Sequence, residues 1–332
     1  MWKTVNYEAR GRSHIKSDIP CQDKTITLKN NDITIIALAD GAGSAGLSHF
    51  GADAVIKAAG EYICNNFYDI VNNADGKQVK LNVLEYLLGK LRDLSNELSC
   101  DMQDLASTLL LVAANSETFL MLHIGDGVIG YLKNNELKVA SMPENGEFAN
   151  TTTFVTSKAA ISSMKLFKGE VNDIAGFVLM SDGSAESFYH KRTKSLASVL
   201  IKLMHRNCLI SNDRMKEMVK DSFDKIIVTN TQDDCSIAIM SRRLGDLYDY
   251  ASMSVVEKAD LLGIRAAGIS ISKRIKRYDE ILYRLENPES LDELSRALHL
   301  KSKYTLKHLN RLMSIGLIVR DGNRYSRVMD PN

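Results

Sequence analysis

Apolar runs that stop at an aspartate recur along this chain, and they constrain the fold more than any other feature. Asp40 follows I-I-A-L-A, Asp126 follows F-L-M-L-H-I-G, and Asp182 follows F-V-L-M-S and precedes Gly183. Asp233 and Asp234 stand just before C-S-I-A-I-M, and Asp23, in P-C-Q-D-K, just before T-I-T-L. Aspartate and glycine are turn residues, so any one of these positions reads first as a plain strand end. The recurrence says more. Strand ends of one sheet converge on a rim, and several carboxylates on one rim repel strongly unless a cation lies between them. An all-oxygen ligand set suits Mg²⁺ or Mn²⁺, whereas zinc would bring histidine or cysteine. Two such ions about 4 Å apart position and ionise a water for in-line attack on phosphorus. The loop G-A-G-S-A-G after Asp40 is bare of bulk, which leaves room for metal, water and a substrate segment.

Composition sets the bounds. The 332 residues are 45% hydrophobic and 25% charged, as in ordinary globular proteins, and suffice for more than one domain. The net charge of +1 gives the whole molecule no strong field. Cys21, Cys64, Cys100, Cys208 and Cys235 are scattered and form no C-x-x-C pair. That speaks against a disulfide framework and for a reducing compartment. M-W-K-T-V-N-Y-E lacks the apolar segment of a signal peptide, and no run reaches the ~18 apolar residues of a membrane span. The expectation is a cytoplasmic protein with no membrane partner.

The character of the chain changes around residues 241–250, at S-R-R-L-G-D. Residues 241–332 carry 17 Lys and Arg against 12 Asp and Glu, a net of +5, which leaves −4 for the first 240. Before the change, runs 33–39, 108–113, 118–124, 177–180 and 236–240 read as strands. Residues 50–67, 81–98 and 212–223 read as helices, with Ser44 placed to cap a helix that starts near Leu47. Strands and helices without βαβ alternation predict an α+β sandwich. After the change, the pattern is helical to about residue 315.

The ordered set G-R-S-H-I-K-S-D-I-P-C-Q-D, A-D-G-A-G-S, S-T-L-L-L-V-A, I-G-D-G, M-S-D-G and Q-D-D-C-S resembles the metal-dependent protein phosphatases of the 2C type, over roughly residues 5–241. The G-S-A extension after the A-D-G is similar to a bacterial subgroup. The resemblance implies a four-layer αββα sandwich in a domain of residues 1–241, holding two or three Mn²⁺ or Mg²⁺ ions. It implies hydrolysis of phosphoserine and phosphothreonine in proteins, opposite a cognate kinase. Asp40 matches the aspartate bridging two metals, and the Gly41 carbonyl a backbone ligand. Asp182 and Asp233 match ligands of the other metal, and Asp126 a carboxylate of a third site. Asp23 falls in the family's Glu-Asp pair, and Thr108 at a small structural position.

Three departures from that pattern bear on activity. Gln22 replaces a glutamate and so removes a charge. Ala42 stands where many eukaryotic members have a proton-donating histidine. The phosphate-binding arginine has no clear match, which leaves Arg12, His14 and Lys16 as candidates. Gln22 and Ala42 support the competing reading, a catalytically weak phosphatase-like protein that binds phosphoprotein or DNA. No C-x5-R loop is present, and Cys21 and Cys235 read as packing residues.

The C-terminal part follows a different grammar. A helical or basic linker, 242–277, contains I-S-K-R-I-K-R-Y. Then come a short helix at 279–285, a capping box at Ser290 and Glu293, a turn H-L-K-S, a second helix from Lys303, and a hairpin with D-G at its tip. Over roughly 278–332 this order resembles a winged helix. Lys303, Lys307 and Arg311 share one side of the second helix, as a contact to DNA or to a protein partner would require. A solvated charged face is the plainer alternative.

Overall fold

The structure, a computed structural model, describes residues 2–133, 136–142, 152–209, 211–242, 250–251, 253–264 and 269–327. The chain divides into two compact units: residues 1–207 with 211–242, and residues 208–210 with 243–332. Among the described residues, no helix is long and apolar enough to cross a membrane.

The first unit is built on two five-stranded antiparallel sheets. Its strands are β1 (Lys3–Ala9), β2 (Lys24–Asn30), β3 (Ile33–Ala39), β4 (Leu109–Ala114), β5 (Thr118–Ile124), β6 (Val128–Lys133), β7 (Glu136–Ser141), β8 (Lys165–Glu170), β9 (Ile174–Met180), the short pair β10 (Tyr189–His190) and β11 (Ser195–Leu196), and β12 (Cys235–Ser241). One sheet runs β1-β12-β9-β6-β7 and the other β2-β3-β4-β5-β8. Strands β3 and β4 are buried along their whole length, which explains their unbroken apolar sequence. Alternate residues of β3 serve two cores. Ile36 and Leu38 join Leu110, Val112, Phe177, Leu179, Ala238 and Met240 between the sheets. Ile35 and Ala37 turn the other way, toward two long helices.

Those helices are α2 (Ser48–Asn72) and α3 (Gly76–Leu98), preceded in the chain by the short α1 (Arg12–Ser17). Both begin earlier than the apolar periodicity suggests. The cap expected from Ser44 does not form: Ser44 is exposed, and the residue preceding α2 is Leu47, with no side-chain cap. Small residues on α2 permit close packing. A Cβ on Gly51 would strike the Leu105 backbone. On the other sheet, helix Asn212–Ser222 lies along β1, and Phe223 meets Tyr7 edge-on at 5.8 Å. Strands β1, β6, β7 and β8 were not evident from apolar runs because they are half-buried or carry charges, as in K-L-F-K-G-E.

The second unit contains helices Val255–Leu261, Ile269–Arg284, Leu291–Ala297 and Ser302–Ser314. A three-stranded sheet joins β13 (Glu289–Ser290), β14 (Ile318–Asp321) and β15 (Arg324–Arg327) in the order β13-β15-β14. The capping box forms: Ser290 Oγ accepts from Glu293 N, and Glu293 Oε2 accepts from Ser290 N at 2.7 Å. The basic stretch 271–278 lies inside helix Ile269–Arg284, because Ile275, Tyr278, Ile281 and Leu285 face the unit's core at helical spacing. Gly322, at the hairpin tip, has φ +57°, a conformation that glycine adopts without strain.

Candidate active site

Register gathers the aspartates. Lys24 pairs with Ala39, Leu38 with Leu110, and Leu109 with Ile124. Asp23, Asp40, Thr108 and Gly125 therefore sit at one end of their sheet. In the other sheet Ala9 pairs with Cys235, Ile237 with Met180, and Met180 with Val128. That brings together Gly11, Asp234, Asp182 and Asp126.

Each loop on this rim is tied down by backbone bonds. Thr108 Oγ1 accepts from Asp40 N at 2.9 Å, and Thr108 N donates to the Asp40 carbonyl at 2.8 Å. Gly41 N donates to the Gln22 carbonyl, and a Cβ on Gly41 would meet Ser48 Oγ at 2.8 Å. Ser48 is buried and its hydroxyl has no hydrogen-bond partner. Asp182 opens helix Asp182–Phe188 and accepts from Gly183 N at 2.6 Å. Thr152 Oγ1 donates to Asp126 Oδ2 at 2.5 Å. Asp233 is exposed and accepts from Asp234 N.

The electrostatics follow from burial. Asp23 is 1% exposed, and neither of its carboxylate oxygens has a hydrogen-bond partner, although the Ser181 and Ser236 hydroxyls face it. Burial, with the charges of Asp234 and Asp182, pushes the Asp23 carboxyl up to about 8. Asp40 is raised well above the carboxylate range by burial and by Asp23, Asp182, Asp126 and Asp233. Asp182 is raised to about 6 by burial, Asp126 and Asp233, against the opposing hydrogen bonds from Asp40 and Gly183. The neighbouring thiols are pushed up as well, Cys235 to about 12, chiefly by burial and then by the aspartates. Neither is a thiolate nucleophile.

Among the described residues, no Lys or Arg forms an ion pair with Asp23, Asp40, Asp126, Asp182 or Asp233. A group of like charges, with Asp23 buried and its oxygens unpartnered and Asp40, Asp126 and Asp182 half-buried around it, fits a hard divalent cation. No three described His, Cys, Asp or Glu side chains are closed into a ready ligand set.

Two residues do more here than their sequence suggests. Asp234 is 2% exposed and clasps two segments, α1 with its preceding Gly11 and the loop at Gln22: its oxygens accept from Gly11 N and Gln22 N at 2.6 Å each, and lie 2.9 Å from His14 Nδ1. It shares the strand-end pattern of Asp233 and could have been singled out with it. His123 is buried between Ser141 Oγ, 2.6 Å away, and the Gly125 carbonyl, 3.1 Å away. Burial lowers it to about 3, so the neutral ring braces the loop that carries Asp126. Nothing in I-G-D-G announced that role.

The phosphate candidates lie on α1. Arg12 Nε donates to the Thr231 carbonyl at 2.9 Å, Ser13 N donates to the Gln232 carbonyl, and Lys16 is exposed. A Cβ on Gly11 would collide with the Asp233 carbonyl, which explains the glycine. In the second unit, Lys303 and Lys307 are exposed, whereas Arg311 Nη2 donates to the Gly263 carbonyl at 2.8 Å.

Comparison with known proteins converges on one family. The model for protein phosphatase 2C matches residues 10–222, a stretch that includes Asp23, Asp40, Asp126 and Asp182 and ends before Asp233. Serine/threonine-protein phosphatase 3 of Escherichia coli strain K12 is 28% identical over 186 residues, covering 53% of this chain and 72% of that protein. A bacterial serine phosphatase shares the fold with TM-score 0.52 at 12% identity, over 73% of this chain and 98% of that one. The serine/threonine phosphatase Stp1 of Staphylococcus aureus does so with TM-score 0.50 at 13% identity, over 73% and 96%. With a family match across most of the first unit and more than half of its length, this chain belongs to the protein phosphatase 2C family.

Proposed function

We propose that this chain is a metal-dependent protein phosphatase that hydrolyses phosphoserine and phosphothreonine on proteins phosphorylated by a cognate kinase. The enzyme class, a protein serine/threonine phosphatase, follows from family membership and from the curated relative. The observation that carries the mechanism is the rim of aspartates, Asp23 buried and Asp40, Asp126 and Asp182 half-buried, with no basic partner among the described residues. Asp23, Asp40, Asp126, Asp182, Asp233 and the Gly41 carbonyl would hold Mg²⁺ or Mn²⁺. Bound there, two such ions supply a water of lowered pKa and neutralise phosphate oxygens.

The chain's own residues supply position and electrostatics, which are most of what phosphoryl transfer needs. Thr108 fixes the Asp40 backbone, and Asp234 fixes the segments carrying Asp23 and α1. Arg12 uses Nε on the loop beside Asp233 and leaves its terminal fork for a phosphate oxygen, which makes it the best placed of the three candidates. Ala42 cannot donate a proton, so the leaving alkoxide takes its proton from water.

The stacked sheets with helices outside support the αββα reading. The helix, strand, helix, helix and hairpin of the second unit support a winged helix serving as a regulatory or docking module. The test is phosphate release from a phosphothreonine peptide with Mn²⁺, with Mg²⁺ and with EDTA. Release with either metal and none in EDTA is expected; no metal-dependent release would overturn the reading in favour of a phosphoprotein-binding or DNA-binding regulator.

A further inference from the structure

Two stripes at helical spacing face each other in the second unit. Ser270, Lys273, Arg274 and Arg277 lie along helix Ile269–Arg284, and Tyr304, Lys307, His308 and Arg311 along helix Ser302–Ser314. They wall a recess of about 720 Å³ whose lining contains five cations and no carboxylate. Two of the five have partners. Arg277 Nη1 donates to the Leu298 carbonyl at 2.8 Å with Glu280 at 3.8 Å, and Arg311 is held by Gly263. Among the described residues, Lys273, Arg274 and Lys307 make no ion pair.

The Nδ1 of His308 is buried in this wall without a hydrogen-bond partner, and the ring sits edge-on to Tyr278 at 4.9 Å. Burial, with the charges of Arg277, Lys307 and Arg311, lowers the His308 pKa.

We propose that this recess is a second phosphate site, separate from the aspartate rim, which binds a phosphorylated side chain of a protein partner. A phosphate dianion brings two charges and three acceptor oxygens, matching one Arg fork and two ammonium groups. The volume is that of a pocket for a side chain and its neighbours, roughly 300–1,000 Å³. A DNA duplex demands the opposite shape, a protruding helix that enters a groove about 12 Å wide. Here the cations sit in a hollow between two helices. The assignment rests on the reading that this chain acts on phosphoproteins, since a phosphosite in the same chain raises the effective concentration of substrate.

The test uses the full chain in EDTA, which stops turnover, and follows fluorescence anisotropy of a labelled phosphothreonine peptide. The variant K273A/R274A/K307A should bind at least tenfold more weakly than the parent. The charge-keeping variant K273R/K307R should stay within twofold, which separates lost charge from lost folding. The unphosphorylated peptide should not bind. Equal affinity of parent and triple variant would overturn the proposal. So would tighter, cation-dependent binding of a single-stranded oligonucleotide of equal charge, which would make the recess a nucleic-acid site. In a separate arm with metal, p-nitrophenyl phosphate should be hydrolysed equally by parent and triple variant. If neither hydrolyses it but the phosphopeptide still binds through these cations, the phosphatase reading falls and the recess stands.

Discussion

The aspartate rim and the basic recess are electrostatic opposites, each lined mainly by one sign of charge among the described residues. They differ in burial. Asp23 is buried and Asp40 half-buried, so their repulsion is poorly screened and appears as raised carboxyl pKa values. Lys273, Arg274 and Lys307 remain exposed, so their crowding is screened. An unpaired buried charge therefore points to a resident ion, while an unpaired exposed one points at most to a visiting partner. The largest expected effect breaks the rim: Asp40→Asn or Asp182→Asn should lower turnover by roughly 10³-fold or more. Either variant should also raise the melting temperature of the EDTA-treated protein, because one repelling charge is gone. Unchanged turnover would remove these carboxylates from the chemistry.

The clasp comes next. Asp234→Ala leaves the buried Gly11 and Gln22 amides without an acceptor, which costs about 3 kcal/mol if the two losses are partly shared. Urea unfolding measures this. Asp234→Asn keeps an acceptor and should recover part of the loss. An alanine variant as stable as the parent would show that these amides find other partners.

The rim was legible in the sequence because its aspartates are fixed by backbone register. A strand end is a local feature, and M-S-D-G or Q-D-D-C-S carries it within a few residues. Asp234 and His123 were harder to read. Their roles depend on contacts across 223 and 18 residues of sequence, to Gly11 and to Ser141. The recess was hidden for a similar reason. I-S-K-R-I-K-R-Y looks like a linker until its isoleucines are seen to face a core, which turns Lys273, Arg274 and Arg277 toward the second helix. The edge strands β7 and β8 carry little signal in the sequence, because half-burial leaves only a weak alternation.

A smaller, graded effect is pH dependence. Asp23 has a folded pKa of about 8 against an ordinary value of 3.8, and Asp182 about 6 against the same value. Between these limits the native state holds protons that the unfolded chain has released. Stability in EDTA should therefore be highest at and below about pH 4 as far as these groups are concerned, and fall steadily as pH rises from there toward 8. Saturating Mg²⁺ should flatten that decline, since a cation takes over the compensation that the protons gave. A metal-free protein whose stability rises across this window would mean that another group dominates or that the rim is better hydrated than its burial indicates.

The smallest effect belongs to the second unit and isolates its mode of stabilisation. Ser290→Ala removes the acceptor for Glu293 N and weakens one helix start by about 1 kcal/mol. Because Ser290 touches neither the rim nor the recess lining, hydrolysis and phosphopeptide binding should stay at parental levels. Hydrogen exchange of the amides in helix Leu291–Ala297 should nevertheless accelerate roughly fivefold, the equivalent of that loss when exchange follows local opening. Unaltered exchange would mean that the core contacts of Leu294 and Leu298 hold this helix without its cap. The unit would then be organised by packing, just as the rim is organised by backbone register, and charge would be left to act on ligands alone.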